Sequence, residues 1–331
     1  MLRGLPARTL PQRVVRAATR PLRVLRRRWV AGGAILTYHR VAEPGSSPFG
    51  LSVSPNHFEA HLAYLSTRCR VMPLLEMARR LACDDLPPRS VAVTFDDGYV
   101  DNLRNARPLL ERYEVPGTVF VATGYIGGER AFWWDELATL MLEGAVPAEL
   151  ALPLGDGTRR WPTDTPPARR AAMWAVHGIL RDLAPTARES TLDALRRWAG
   201  HAPRVDDASR AMTADELRVL VRDDLVDVGG HTVAHAALSA LDADARAVEI
   251  AAPREVLGRL LARPIEAHAH PYGIDTDDAA ELAVRAGYSA ACAGGIGSVE
   301  AGDDPMRLPR FTVHDCDAGT FRRVVEHHLV D

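Results

Sequence analysis

The chain contains no lysine; its 40 strongly basic side chains are all arginine. That excludes Schiff-base chemistry on a lysine amine and a phosphate loop of the GxxxxGK kind. Cysteine is scarce as well. Cys69, Cys83, Cys292 and Cys316 include no CxxC pair, which argues against a zinc knuckle or a thioredoxin motif and suits inert thiols. The pattern does not call for an oxidising compartment. No apolar run reaches the roughly 7–15 residues of a signal-peptide core or the ~20 of a membrane span. Neither an export signal nor a spanning segment is therefore legible, and the expected location is cytoplasmic or peripheral to a membrane. Acidic residues are missing up to Glu43. Over the whole chain the net charge is −3, which does not suit a polyanion binder, so no nucleic-acid partner is expected.

What is present divides into three parts. Residues 1–32 form a basic arm, with nine arginines between Arg3 and Arg28 and prolines at positions 6, 11 and 21. The arm reads either as a solvated, disordered segment or as one lying on anionic lipid through Arg26-Arg27-Arg28-Trp29. From residue 33 onward, short apolar runs alternate with helical spacing. Strands are expected at 34–38, 91–95, 118–122, 225–228, 265–269, 289–293 and 308–313. Helices are expected between them, including 56–65, 102–113, 214–222, 242–261, 276–286 and 318–329. Thr213 with Glu216 predicts a capping box, and Gly229-Gly230 a tight turn into His231. Seven or so parallel βα units favour a closed barrel over an open sheet. Residues 128–212 interrupt the alternation. Phe132-Trp133-Trp134 opens a helix there, a Pro/Gly/Thr-rich loop covers 147–167, and helices follow at 168–183 and 188–198. We read this as a helical insertion whose tryptophans are core in preference to a sugar platform.

Chemistry-bearing residues fall just after strands, at the end of a βα barrel where active sites form. Asp96-Asp97-Gly98 follows the run ending in Phe95, and adjacent residues at a strand exit point different ways. His231 and His235 stand four apart, on one side of a helical or tightly turned segment. One carboxylate and two imidazoles make a metal site with open positions, and the spare carboxylate is a base for a water at that site. An HExxH protease is excluded by Thr232. His39 ends the first strand as a candidate proton donor. His270-Pro271-Tyr272-Gly273 offers the Tyr272 backbone N–H to an oxyanion. His314 is a weaker candidate, and His327-His328 reads as solvated helix surface.

At these residues the chain resembles the polysaccharide deacetylase family, the NodB-homology domain of carbohydrate esterase family four. Thr94-Phe95-Asp96-Asp97-Gly98 matches its first motif and His231-Thr232-Val233-Ala234-His235 its second. Thr37-Tyr38-His39-Arg40-Val41 and Phe132-Trp133-Trp134-Asp135-Glu136-Leu137 look like the xylanase- and chitin-deacetylase-like subgroup. The resemblance implies a distorted (β/α)7 barrel over about residues 33–325. It implies a divalent metal, Zn2+ before Co2+ or another transition ion, and removal of acetyl from an N-acetylated, less often O-acetylated, glycan. Carried over by position, Asp96 is the base; Asp97, His231 and His235 are the ligands; Tyr272 holds the oxyanion; Pro271, Tyr272 and Tyr99 meet substrate. Two of the family's features lack a counterpart. The arginine that orients the base would stand at Ala269, followed by His270, and no C-terminal histidine motif is matched, His314 following Leu308-Pro309-Arg310 in a different context. Protonation of the leaving amine then falls to His39 or His270. A catalytically silent glycan-binding protein and an amidase for non-sugar substrates are the alternatives.

Overall fold

In the computed structural model, residues 32–329 are described, apart from 44–47, 156, 204, 294 and 296. The basic arm expected at 1–32 thus lies, but for Gly32, outside the described residues. No helix among the described residues is long and apolar enough to cross a membrane.

Seven strands form one curled parallel sheet in the order β11-β10-β9-β6-β5-β1-β12. They are β1 (Gly33–Tyr38), β5 (Ser90–Phe95), β6 (Gly117–Val121), β9 (Val226–Gly230), β10 (Ala267–Ala269), β11 (Ala290–Cys292) and β12 (Phe311–Thr312). The short β4 (Arg70–Val71) pairs with the start of β5, and β2 (Arg40–Val41) pairs with β3 (Ser52–Val53) in a separate ladder. β1 lies between β12 and β5, with Leu36 opposite Phe311 on one side and Val93 on the other. Between β11 and β12 no regular ladder forms; the ring closes through segment 308–312, which bridges Leu308 to Cys292 and then joins β1. This is the distorted β/α barrel expected from the sequence.

Both faces of these strands are buried, which is why they read as unbroken apolar runs. Leu36, Val91, Val93, Phe95, Val119 and Val228 point outward into the layer beneath the surrounding helices. Ile35, Ala92, Phe120, Ala267, Ala269 and Ala290 point inward. Helix Leu74–Ala82 plugs the strand-start end with Leu74, Met77, Ala78 and Leu81. Sequence reading passed over that helix, although its apolar spacing is regular. Farther along the same inward face, Thr37, Thr94, Asp96, His231 and Arg310 come to the opposite mouth, where a cavity opens.

The segment between β6 and β9 holds helices Trp133–Leu142, Pro166–Arg181 and Pro185–Ala199 around their own apolar cluster, with Trp133, Trp134, Leu137 and Met173 buried in it. The loop expected at 147–167 is instead an antiparallel hairpin, β7 (Glu149–Leu154) and β8 (Gly157–Pro162). Its outer strand is exposed and polar, so alternation is the only signal and composition hid it. Gly117 begins β6, and the preceding helix stops at left-handed Glu114. The capping box at Thr213 and Glu216 forms as expected. Gly229 and Gly230 are strand residues, not a turn: a Cβ on Gly229 would lie 2.6 Å from the Phe120 ring and 2.7 Å from the Ala267 carbonyl. Glycine is required there by close strand packing.

Candidate metal centre and active site

Asp96 and Asp97 leave β5 in different directions because Asp97 adopts a left-handed backbone, φ 76°. Asp96 stays in register, its N–H donating to the Tyr38 carbonyl of β1 at 2.9 Å. Its carboxylate accepts two parallel hydrogen bonds from Arg310, Nη1 to Oδ1 and Nη2 to Oδ2, both 2.8 Å. Arg310 Nη1 also donates to Thr94 Oγ1 at 3.1 Å. Burial opposes the Asp96 charge, but the Arg310 guanidinium, helped by His231, holds the carboxyl well below the usual carboxylate range.

His231 continues β9, and His235 follows in a turn rather than a helix, with Thr232 and His235 at φ 63° and 49°. Two clamps hold this turn. Glu249 accepts from the N–H groups of Val233 and Ala234 at 2.7 and 3.0 Å. Arg188 donates to the carbonyls of Ala234 and His235. His231 Nδ1 lies 2.8 Å from the Ala269 carbonyl. A carbonyl only accepts, so Nδ1 carries the proton and Nε2 presents a lone pair. That lone pair faces Asp97 Oδ1 at 3.6 Å and Asp96 Oδ2 at 3.9 Å. His235 Nε2 is 3.2 Å from Asp97 Oδ1, and its Nδ1 is 3.0 Å from the Tyr272 hydroxyl. Burial also pushes His231 down to about 4, keeping it neutral.

Acceptors that converge without a donor repel one another unless a cation lies among them. Asp97 Oδ1 is buried and accepts no hydrogen bond from the described residues. Ligand atoms of Asp97, His231 and His235 all lie within 4.8 Å of one another. One anionic oxygen and two imidazole nitrogens, each imidazole braced through its other nitrogen, fit a divalent transition metal.

These groups share a cavity of about 510 Å³ with His39, Tyr272, Trp134 and His314. Tyr99 does not reach it. Tyr99 is fully buried among the insertion's aromatics, its hydroxyl donating to Asp135 at 2.8 Å and accepting from Trp134 Nε1 at 2.7 Å. The expectation that Tyr99 meets substrate is therefore corrected: it braces Trp134. Pro271, expected to meet substrate, is buried and is not on the cavity wall; it precedes the left-handed Tyr272, φ 59°. His270 is fully buried and also absent from the wall. His328, read as solvated surface, instead stacks on Phe311 at 4.2 Å and borders the cavity. Sequence reading missed Arg310 and Trp134. Arg310 carried one faint signal, an arginine entering an otherwise apolar strand.

The family profile described as Polysaccharide deacetylase matches residues 84–149 and 189–291, about half of the chain. The chain belongs to the polysaccharide deacetylase family. Among curated relatives, Bacillus subtilis YxkH, named as a polysaccharide deacetylase, is 30% identical over 112 residues, 33% of this chain and 39% of that one. A poly-beta-1,6-N-acetyl-D-glucosamine N-deacetylase of Staphylococcus aureus is 34% identical over 79 residues, 24% of this chain and 27% of that one. The chain thus spans well under half the length of these relatives. Among solved structures, the Streptococcus pyogenes deacetylase PplD in complex with acetate superimposes with a TM-score of 0.60 at 16% identity, over 91% of this chain and 99% of that one. That likeness is one of fold. The polysaccharide deacetylase profile includes Asp96, Asp97, His231 and His235 but stops short of Arg310.

Proposed function

We propose that this protein is a metal-dependent hydrolase that removes acetyl from N-acetylated glycans, breaking a carbon–nitrogen bond. The observation that carries the reading is the pairing of an Asp97–His231–His235 cluster with an Asp96 carboxylate fixed by Arg310 on the same cavity. Asp97, His231 and His235 would hold a divalent ion, Zn2+ or Co2+ by the N/O donor set. When bound, such an ion supplies Lewis-acid polarisation of a water and of the acetyl carbonyl.

The other steps belong to the protein. Asp96 is ionised at neutral pH and accepts a proton from the attacking water. Arg310 keeps both carboxylate oxygens in one plane, so Asp96 cannot rotate away. The Tyr272 N–H donates to the oxygen that becomes negative. His39, on the same wall, returns a proton to the departing nitrogen. The Arg310 contact supports catalysis over a silent binding role, because it supplies, from the residue just before β12, the partner missing at Ala269. We also propose that the basic arm brings the enzyme to an anionic membrane surface.

The test is acetate release from N-acetylglucosamine oligomers by zinc- or cobalt-loaded protein beside chelated protein. Release should require metal. Asp96→Asn should lose turnover by about 10³-fold or more while keeping one metal per chain. His231→Ala should lose both. Full turnover after either substitution would overturn these roles.

A further inference from the structure

Outside the cavity, helix Pro166–Arg181 carries a feature that the reaction does not use. Its buried face is Ala172, Met173, Val176 and Leu180. Beside that face stand Trp174, His177 and Arg181, spaced to form one stripe. Trp174 is 48% exposed. The other exposed large aliphatic side chains, such as Val219, Val248 and Val284, sit singly on other helices.

We propose that Trp174, with Phe49 and His177, is an accessory platform for a sugar ring of the glycan chain outside the catalytic cavity; this rests on the deacetylase reading above. Phe49 meets Trp174 edge-on, 5.0 Å between centroids at 79°, and lies 4.8 Å from His177. The indole is thus held by its neighbours rather than left free to rotate. Two connections lead from this cluster to the cavity. Leu51, two residues after Phe49, is on the cavity wall. His177 stacks on Trp133 at 5.0 Å, and Trp133 abuts Trp134, also on the wall. The stripe is thus linked to the cavity wall through aromatic contacts. From Trp174 to Arg181 it covers roughly 10 Å of helix.

The chemistry of the stripe selects a sugar over a protein or lipid. A stable protein interface needs roughly 800 Å² from each partner, whereas the exposed aromatic surface on this helix is one indole. Arg181 pairs with Asp182 at 2.8 and 3.0 Å, leaving hydrogen-bonding groups beside a flat apolar face. A pyranose ring has the matching surface, an apolar C–H face with a polar edge. Burial pushes His177 down to about 4, so the platform is uncharged at neutral pH. Phe49, ahead of the matched segments, and Trp174, in the insertion, both lie outside the residues that match the family profile.

The experiment compares wild type, Trp174→Ala and Trp174→Phe in full-length protein. The probes are N-acetylglucosamine dimers and hexamers for kinetics, and gels containing acetylated glucosamine polymer for retardation. Trp174→Ala should raise KM for the hexamer about tenfold, a loss of ~1.4 kcal/mol, with kcat and dimer turnover unchanged. It should also migrate freely where wild type is retarded, and Trp174→Phe should restore most of both. Equal hexamer KM and equal retardation would overturn the platform while metal-dependent acetate release still upheld the deacetylase. Retardation that depends on Trp174 without acetate release would keep the platform and overturn the deacetylase. Loss of a dimer on Trp174→Ala, seen by sedimentation without any change in glycan retardation, would assign the indole to a protein contact and overturn the proposal.

Discussion

The Asp96 carboxylate is buried and still charged because Arg310 meets it with two parallel hydrogen bonds. Burial alone would drive its proton affinity upward. Removing the guanidinium therefore has a defined sign. Arg310→Gln should raise the Asp96 pKa, so the acid limb of the kcat/KM profile moves to higher pH by about one unit or more. Arg310→Lys keeps the charge but not the fork, so it should hold the limb near wild type while kcat falls about 10- to 100-fold from misplacement of the base. The pH–rate profile of metal-loaded protein reads both effects. The same pair shows why part of the site was legible and part was not. Asp96 and Asp97 are neighbours in sequence, and His231 and His235 are four apart, so their chemistry is written locally. Arg310 is 214 residues from Asp96, and Leu-Pro-Arg-Phe is ordinary wording for the start of a strand. Tyr99 failed in the opposite way: it stands next to the Asp-Asp-Gly turn, but its ring turns into the aromatic cluster instead of the cavity.

At the scale of elements, the His231–His235 turn depends on groups that never touch the cavity. Two left-handed residues make it costly, and Glu249 from helix Ala243–Leu261 repays that cost by accepting two of its N–H groups. Glu249→Ala should destabilise the protein by about 1–3 kcal/mol and weaken metal affinity about 10- to 100-fold. Thermal melts of metal-free protein measure the first and competition with a chelating dye the second; unchanged affinity would mean that the turn holds its shape without the clamp. Element types followed from the sequence wherever burial is two-sided, as in β1, β5 and β6, because continuous apolar runs leave little choice. They were lost where polarity is mixed. The hairpin of β7 and β8 has one exposed polar strand, and tertiary pairing, not composition, makes it a strand at all.

For the molecule as a whole, the sign of charge is unevenly distributed. Nine arginines crowd the first 28 residues of a chain that is net −3, so that the rest is clearly acidic. An anionic surface should attract the arm and repel the acidic remainder of the chain. Full-length protein should bind anionic vesicles at low salt, release them as ionic strength rises, and lose this binding when residues 1–31 are deleted; equal binding by the truncated protein would exclude the arm as the anchor. The ring itself closes through segment 308–312, which carries Arg310 into place beside β1. During synthesis, the ribosome has therefore delivered Asp97, His231 and His235 well before it delivers the partner of Asp96. A chain cut short near residue 300 would carry the ligand residues in its sequence but lack the guanidinium that orients the base. Delivery of Arg310, not of the metal ligands, thus sets when the base can be oriented.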